Sequence, residues 1–103
     1  MNNKEITPEE AKSELKENND IILLDVRTKE EYDEKYAPNC ILIPLNELSD
    51  KVLDKIKNKK QEIIIYCRSG RRSKKALEIL NKSRYTNISF IEGGIDNWKY
   101  ETE

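Results

Sequence analysis

Cys67 lies between an apolar segment and a group of arginines. The residues before it are IIIY, and the residues after it are RSGRR. A sharp turn here, with Gly70 at positive φ, would direct successive backbone N–H groups inward and form an anion-binding nest. The N-terminus of a following helix and the charges of Arg68, Arg71 and Arg72 add to the same positive potential. These influences favour the thiolate without a base, so the pattern predicts a nucleophile; the alternative is an inert thiol at the end of a buried strand.

The composition limits the chemistry that this cysteine can use. The chain has no histidine, which excludes Ser-His-Asp and Cys-His catalysis and most zinc sites. Its 19 basic and 20 acidic residues give a net charge of -1, so we expect no nucleic-acid partner and no attraction to a membrane. No segment reaches membrane-spanning length, and the opening MNNKEITPEE lacks the apolar core of a signal peptide. The two cysteines do not make a disulfide framework, which favours a cytoplasmic, reducing location.

Apolar runs and helix-capping signals alternate along the 103 residues, which contain no repeat and no linker. We therefore expect a single domain over residues 1–103. Continuous apolar segments are typical of strands that are covered on both faces. The predicted strands are residues 21–26, 40–45, 62–67 and 87–94, the last ending in a double-glycine turn.

Helix signals stand between these strands. Thr7 with Glu10 and Thr28 with Glu31 have the spacing of capping boxes, which predicts a helix after each threonine. Asn46 is the predicted cap of a third helix, whose apolar face would be Leu48, Val52, Leu53 and Ile56. A fourth helix is predicted from Ser73, with an apolar face of Ala76, Leu77 and Leu80. Residues 95–100 are predicted to form a short closing helix.

The alternation of strands and helices indicates the α/β class, with a central, mostly parallel sheet flanked by helices on both faces. Ligands of such sheets bind beyond the carboxyl ends of the strands. Cys67 and Asp25 each end a predicted strand at this edge. The carboxyl edge of the sheet is therefore the predicted location of a site.

Five segments together resemble the rhodanese (sulfurtransferase) family, specifically its small single-domain members. ITPEEAK resembles the opening helix of that family, LLDVRTKEEY its Asp-x-Arg segment, YAPNCILIPL its second strand, YCRSGRRS its active-site loop and FIEGGIDNW its closing turn. The resemblance covers nearly the whole chain. Each segment alone is a weak signal, but the loop together with EGGIDNW is a specific combination. The resemblance implies a rhodanese-like fold.

The resemblance also implies a reaction. Cys67 would take a sulfane sulfur from a small anionic donor such as thiosulfate, hold it as a persulfide, and pass it to a thiol or to cyanide with ping-pong kinetics. A protein partner in a sulfur relay is a further candidate acceptor. No metal or organic cofactor is implied, because the sulfur is carried covalently. The outer sulfur would be bound by the loop residues Arg68, Ser69, Gly70, Arg71, Arg72 and Ser73.

Two alternatives to this interpretation stay open, and the length of the loop bears on the first of them. Phosphatase-like relatives in the family have a Cys-x5-Arg loop, wide enough for phosphate or arsenate. Here Cys67 and Arg72 have the spacing Cys-x4-Arg, which suits sulfur better. A cysteine-dependent phosphatase or arsenate reductase is therefore the second hypothesis. A non-enzymatic sulfur-relay or binding module is the third.

Asp25 and Arg27 are predicted supporting residues. Asp25 either hydrogen-bonds loop amides or fixes the turn that leads to Arg27. Arg27 is expected to form an ion pair with Glu30 or Glu31, worth under about 1 kcal/mol if it is exposed.

Further positions bear on the geometry of the loop. Cys40 is either a resolving thiol for Cys67 or a small buried hydrophobe. The turn through Glu92, Gly93 and Gly94 is expected to let the backbone approach the loop closely.

Three residues depart from the usual pattern of the family. Tyr36 stands where the family usually has histidine, and Asn39 and Arg84 each stand where it usually has glycine. We expect these departures to change local geometry and not chemistry.

Overall fold

A computed structural model describes residues 4–103. The strands are β1 (Lys4–Ile6), β2 (Ile22–Asp25), β3 (Ile41–Leu42), β4 (Ile63–Tyr66) and β5 (Ile88–Ile91). The helices are α1 (Pro8–Glu17), α2 (Lys29–Glu34), α3 (Leu48–Lys55) and α4 (Arg71–Lys82), with 3₁₀ turns at Leu45–Glu47 and Gly94–Asn97. All strand pairs are parallel, and the strand order is β1-β5-β4-β2-β3. The predicted α/β class and parallel sheet are confirmed.

The core has two layers, one on each face of the sheet. Along β4 successive side chains alternate between the two faces, as the pleat requires. Ile63, Ile65 and Cys67 join a cluster with buried residues of α3 and α4. Ile64 and Tyr66 join the other cluster, to which α1 and the closing 3₁₀ turn contribute. Because β4 is central, all of its side chains are buried, and this explains its continuous apolar sequence.

β1 is the strand that the sequence pattern did not predict. Ile6 is its one apolar residue and is buried, while Lys4 and Glu5 are exposed. The strand lies at the edge of the sheet and pairs with β5. Three residues with a single buried side chain give no alternation from which a strand could be recognised.

The two predicted capping boxes are present. In α1 the Thr7 hydroxyl accepts from the Glu10 N–H, and the Glu10 carboxylate accepts from the Thr7 N–H. Thr28 and Glu31 make the same reciprocal pair at the start of α2. Among residues 4–103, no helix combines the length and apolar character needed to cross a bilayer.

Two helix predictions are wrong in detail. Asn46 does not cap α3, because it lies within a 3₁₀ turn and Glu47 occupies the N-cap position without a side-chain hydrogen bond. Leu53 is 53% exposed, whereas Leu48, Val52 and Ile56 are buried. Leu48, Val52 and Ile56 are each four residues apart, so they form one buried face of the helix. Leu53 follows Val52 directly and therefore lies outside that face.

Two residues other than glycine adopt left-handed backbone conformations. Asn39 has φ 65 in the turn before β3, as its short polar side chain permits. Arg84 has φ 72 just after α4, where the Tyr85 N–H donates to the Leu80 carbonyl and closes the helix end. Arginine has no such compensation, so Arg84 is a point of local strain.

Replacing Arg84 with glycine should stabilise the protein. Relief of the left-handed strain is worth about 1–2 kcal/mol, and the greater freedom of glycine in the unfolded chain cancels about half of it. We expect Arg84→Gly to raise the free energy of unfolding in urea by about 0.5–1 kcal/mol. Arg84→Ala is the control, because it removes the charge and keeps Cβ; an equal gain in both variants would contradict the explanation from strain.

Candidate active site

Cys67 is the first residue after β4 and is 1% exposed. Its Sγ accepts a hydrogen bond from the backbone N–H of Gly70, with a nitrogen–sulfur distance of 3.0 Å. Gly70 has φ 103 and precedes the first helical residue, Arg71. The predicted positive φ at Gly70 is therefore observed. The sulfur lies at the centre of a short turn that leads directly into the N-terminus of α4.

The helix begins two residues earlier than the sequence suggested. The predicted start was Ser73, but Arg71 and Arg72 already belong to the first turn of α4. This shortens the irregular part of the loop to residues 67–70. The first four backbone N–H groups of a helix have no intrahelical partner, so the earlier start brings unpaired donors nearer to Cys67.

The double-glycine turn supports the loop from the other side. The N–H groups of Ile95 and Asp96 donate to the carbonyls of Cys67 and Arg68, at 2.9 and 3.0 Å. A Cβ atom on Gly94 would lie 2.4 Å from the Cys67 carbonyl oxygen, closer than any side chain allows. The expected close approach of this turn to the loop is present, and it requires glycine at position 94.

The three loop arginines have different surroundings. Arg72 forms a bidentate pair with Glu31, with nitrogen–oxygen distances of 2.6 and 2.8 Å. The Nε of Arg68 is 3.9 Å from the Asp96 carboxylate, and both side chains are exposed. Arg71 is exposed and forms no ion pair with any residue in the range 4–103. Among these three, Arg71 therefore has the least compensated charge.

Glu31 is a site residue that sequence reasoning did not identify. Its carboxylate caps α2 at Thr28 and also accepts from the guanidinium of Arg72, 41 positions along the chain. The hydrogen bonds from Arg72 are the main cause that lowers the pKa of Glu31 to about 2, although burial opposes them. Its spacing from Thr28 already explained Glu31 as a helix-capping residue. No feature of the neighbouring sequence indicated that it also pairs with Arg72.

The expected ion pair of Arg27 with Glu30 or Glu31 is wrong. The guanidinium of Arg27 pairs instead with Asp25, at 2.7 to 3.1 Å, and both residues are buried. Asp25 also accepts from the backbone N–H of Arg27 at 2.8 Å. Arg27 extends to the carbonyl of Lys35 at 2.7 Å, so it ties the end of β2 to the end of α2. Both Asp25 oxygens are thus used in the turn, in agreement with a role in fixing that turn.

Cys40 lies on the opposite face of the sheet from Cys67. It is partly buried against the cluster of Ile64 and Tyr66, while Cys67 belongs to the other cluster. The Tyr66 hydroxyl donates to the Cys40 sulfur at 3.5 Å, and burial raises the pKa of the Cys40 thiol. A disulfide between the two cysteines would have to pass through the sheet, which favours the interpretation of Cys40 as a packing residue.

Ser73 faces the core on the face of α4 that also carries Ala76 and Leu80. Its side chain is fully buried, and its Oγ is the one buried side-chain polar atom of residues 4–103 without a hydrogen-bond partner. An unpaired buried hydroxyl is unfavourable, so its presence in the first turn after the loop calls for an explanation beyond packing.

Comparisons with known proteins agree with this geometry. A family model described as the rhodanese-like domain matches residues 7–101. The putative sulfur carrier protein YrkF of Bacillus subtilis is 32% identical over 96% of this chain, which spans only 52% of that relative. Thiosulfate sulfurtransferase PspE of Escherichia coli is 34% identical over 68% of this chain and 67% of its own. A crystal structure of a rhodanese-like domain protein from Staphylococcus aureus has a TM-score of 0.79 at 36% identity, covering 95% of this chain and 93% of that one.

The close approach of Gly94 predicts a specific effect of an added methyl group. Gly94→Ala should push the Cys67 carbonyl away and slow alkylation of Cys67 by iodoacetamide at least about fivefold, and overpacking should cost about 1–3 kcal/mol of stability. The rate is measured in a Cys40→Ser background, so that only Cys67 reacts. Gly93→Ala is the matched control, since Gly93 also has positive φ but its Cβ would clash with the Asn97 side chain, 2.7 Å from its Cβ, and not with the loop carbonyls. Equal alkylation rates in the two variants would show that the contact does not control the loop.

The pair of Glu31 and Arg72 predicts a pH dependence of stability. The lowered pKa of Glu31 means that its stabilisation is complete above the ordinary value near 4.5 and is lost as pH falls toward 2. Glu31→Gln keeps the capping spacing but should lower the free energy of unfolding at pH 7 by about 1–2 kcal/mol. Its unfolding free energy should also fall less than that of the wild type between pH 4.5 and 2. Glu30→Gln is the exposed control on the same helix, and an identical pH profile for all three proteins would contradict this assignment.

Proposed function

This chain belongs to the rhodanese-like domain family, and we propose that it is a sulfurtransferase that moves a sulfane sulfur through a persulfide on Cys67. The donor is a small anion such as thiosulfate, and the acceptor is a thiol or cyanide. The observation that carries the proposal is the hydrogen bond from the Gly70 N–H to Sγ, in a short turn that ends at a helix N-terminus. The names of curated relatives such as PspE support the reaction class.

In the first half-reaction the Cys67 thiolate attacks the outer sulfur of thiosulfate. A bond forms between Sγ and that sulfur, the sulfur–sulfur bond of thiosulfate breaks, and sulfite leaves with the bonding electron pair. In the second half-reaction the acceptor attacks the outer sulfur of the persulfide, and the Cys67 thiolate is released. Charge and sulfur count balance in both steps, so the proposed reaction needs no metal, redox cofactor or imidazole.

The loop supplies what each step requires. Negative charge is on Sγ before loading and on the outer sulfur after it, and both can be stabilised by the unpaired amides of residues 68–73. The dipole of α4 acts in the same direction. The Ser73 hydroxyl, which is buried without a hydrogen-bond partner in this first helical turn, is proposed as a further donor. We propose that Asp25 and Arg27 act only by fixing the turn that follows β2.

The phosphatase alternative is disfavoured by the position of Arg72. Phosphate transfer needs an arginine that binds the oxyanion, and the arginine at the expected place in this loop is held by Glu31 in a bidentate pair. Release of Arg72 would leave Glu31 unpaired. Cysteine-dependent hydrolysis of an aryl phosphate would favour this alternative over sulfur transfer.

A relay role is the second candidate. The relative YrkF is named a putative sulfur carrier protein, and this chain spans about half of it. A relay module would load sulfur on Cys67 but transfer it slowly to small acceptors, so steady-state turnover with thiosulfate and cyanide separates the two roles. In either role, the free thiolate that the reaction needs is consistent with a reducing cytoplasm.

Intact mass after treatment with thiosulfate tests the central step. The wild type and Cys40→Ser should each gain one sulfur atom that is removed by dithiothreitol, whereas Cys67→Ser should gain none. The reason is that only Cys67 has the loop amides that stabilise a persulfide anion. Absence of the gain in the wild type with thiosulfate and with an organic persulfide would refute the proposal.

The charge of Arg71 should affect binding of the donor. Because Arg71 has no ion-pair partner in residues 4–103, Arg71→Gln should raise the KM for thiosulfate by up to about fivefold, the size expected for an exposed charge. The kcat should change less, and added salt should reduce the difference between the two proteins. Lys82→Gln, at the other end of α4, removes the same charge and is the control. Equal KM values in all three proteins would mean that this part of the loop does not attract the donor.

A further inference from the structure

A cavity of about 310 Å³ lies beside the Cys67 loop. It is lined by Glu5, Ser69, Gly70, Arg71 and Lys74. Two of these residues, Glu5 on β1 and Lys74 on α4, lie outside the loop. The cavity has the volume of a small organic molecule and is therefore larger than an inorganic sulfur donor requires.

The cavity adjoins the loop that holds the nucleophile. Gly70 forms part of its wall, and the N–H of the same residue is 3.0 Å from Sγ. A molecule bound here lies against the loop that would hold the persulfide. Cys67 itself does not line the cavity, so the reacting end of such a molecule would extend past Gly70 to the outer sulfur.

The cavity has positive side chains on α4 and a negative side chain on β1. Arg71 and Lys74 are three residues apart on α4, so their side chains lie on the same face of the helix. Neither forms an ion pair with a residue in the range 4–103, in contrast to Arg68 and Arg72. Glu5 is exposed and lines the cavity from β1, without an ion pair to either cation. A ligand with both a carboxylate and an ammonium group matches this arrangement.

We propose that the cavity selects the sulfur acceptor, and that the acceptor is an α-amino acid thiol such as cysteine. Arg71 and Lys74 bind its carboxylate, and Glu5 binds its ammonium group. Lys74 and Glu5 are thus specificity-determining residues for acceptor choice. This inference rests on the proposed sulfurtransferase function. It also explains why a carboxylate is placed where it would only repel a doubly charged inorganic anion.

The transfer step is a displacement at sulfur. The acceptor thiol first loses its proton to solvent. Its thiolate attacks the outer sulfur of the Cys67 persulfide, a new sulfur–sulfur bond forms to the acceptor, and the bond between Sγ and the outer sulfur breaks. The products are the acceptor persulfide and the Cys67 thiolate. The sulfane sulfur keeps its oxidation state, so no oxidant or reductant is needed.

Single-turnover transfer from the loaded protein tests this proposal. Cys67 is loaded with thiosulfate, the donor is removed, and loss of the sulfur atom is followed by intact mass with four thiols: cysteine, 3-mercaptopropionate, cysteamine and 2-mercaptoethanol. Each rate constant is expressed per thiolate and divided by the rate of the same thiol with a small organic persulfide. After this correction, the transfer rate with cysteine should exceed the rate with 2-mercaptoethanol by about tenfold. The rates with 3-mercaptopropionate and cysteamine, which each carry only one of the two charges, should lie below the rate with cysteine.

Substitutions test which residue binds the carboxylate and which binds the ammonium group of the acceptor. In Lys74→Gln the ratio of the cysteine rate to the cysteamine rate should fall about three- to fivefold, and Lys74→Arg should restore it. In Glu5→Gln the ratio of the cysteine rate to the 3-mercaptopropionate rate should fall by a similar factor. Lys82→Gln, at the far end of α4, should change neither ratio.

The outcomes separate this inference from the function on which it rests. A protein that loads sulfur but transfers it with the same corrected rate to all four thiols overturns the acceptor subsite and leaves the sulfurtransferase proposal standing. Ratios that do not respond to Lys74→Gln or Glu5→Gln also overturn it. A protein that accepts no sulfur from thiosulfate or an organic persulfide overturns both.

Discussion

The contact between the Gly94 backbone and the carbonyls of Cys67 and Arg68 constrains the whole candidate site. An added Cβ at position 94 would lie 2.4 Å from one carbonyl oxygen and 2.6 Å from the other. Two hydrogen bonds from Ile95 and Asp96 complete the contact. Because these carbonyls point toward the closing turn, the amides of the following residues are free to face the sulfur, and the Gly70 N–H does so. A rigid sheet end, a turn without Cβ and a helix N-terminus together fix the position of the Cys67 sulfur.

Electrostatic compensation then divides the cations of the site into two groups. Arg27 is held by Asp25 and also donates to the Lys35 carbonyl, which joins the end of β2 to the end of α2. Arg72 is held by Glu31, which joins α2 to the start of α4. The charges of Arg27 and Arg72 are therefore neutralised within the protein and stabilise the fold. Arg71 and Lys74 have no such partner among residues 4–103, and they remain available to a substrate. The division leaves two uncompensated cations beside the loop in a chain whose net charge is only -1, as the proposed binding of an anionic substrate requires.

The sequence revealed the parts of the site that depend on local chemistry. The capping boxes at Thr7 and Thr28, the positive φ of Gly70 and the close approach at Gly94 each follow from one residue type in one local context. The pair of Glu31 with Arg72 did not, because the two residues are 41 positions apart and Glu31 already had a local explanation. The exposed position of Leu53 and the short edge strand β1 were also missed, since tertiary packing outweighs so few residues of pattern.

A crystal structure of the protein after loading with thiosulfate is the decisive experiment for the persulfide. We expect one additional sulfur atom bonded to Cys67 Sγ, within about 3.5 Å of at least two backbone nitrogens of residues 68–73, with Arg72 still paired to Glu31. Unmodified Cys67 with an intact oxyanion bound by an Arg72 that has left Glu31 would contradict it.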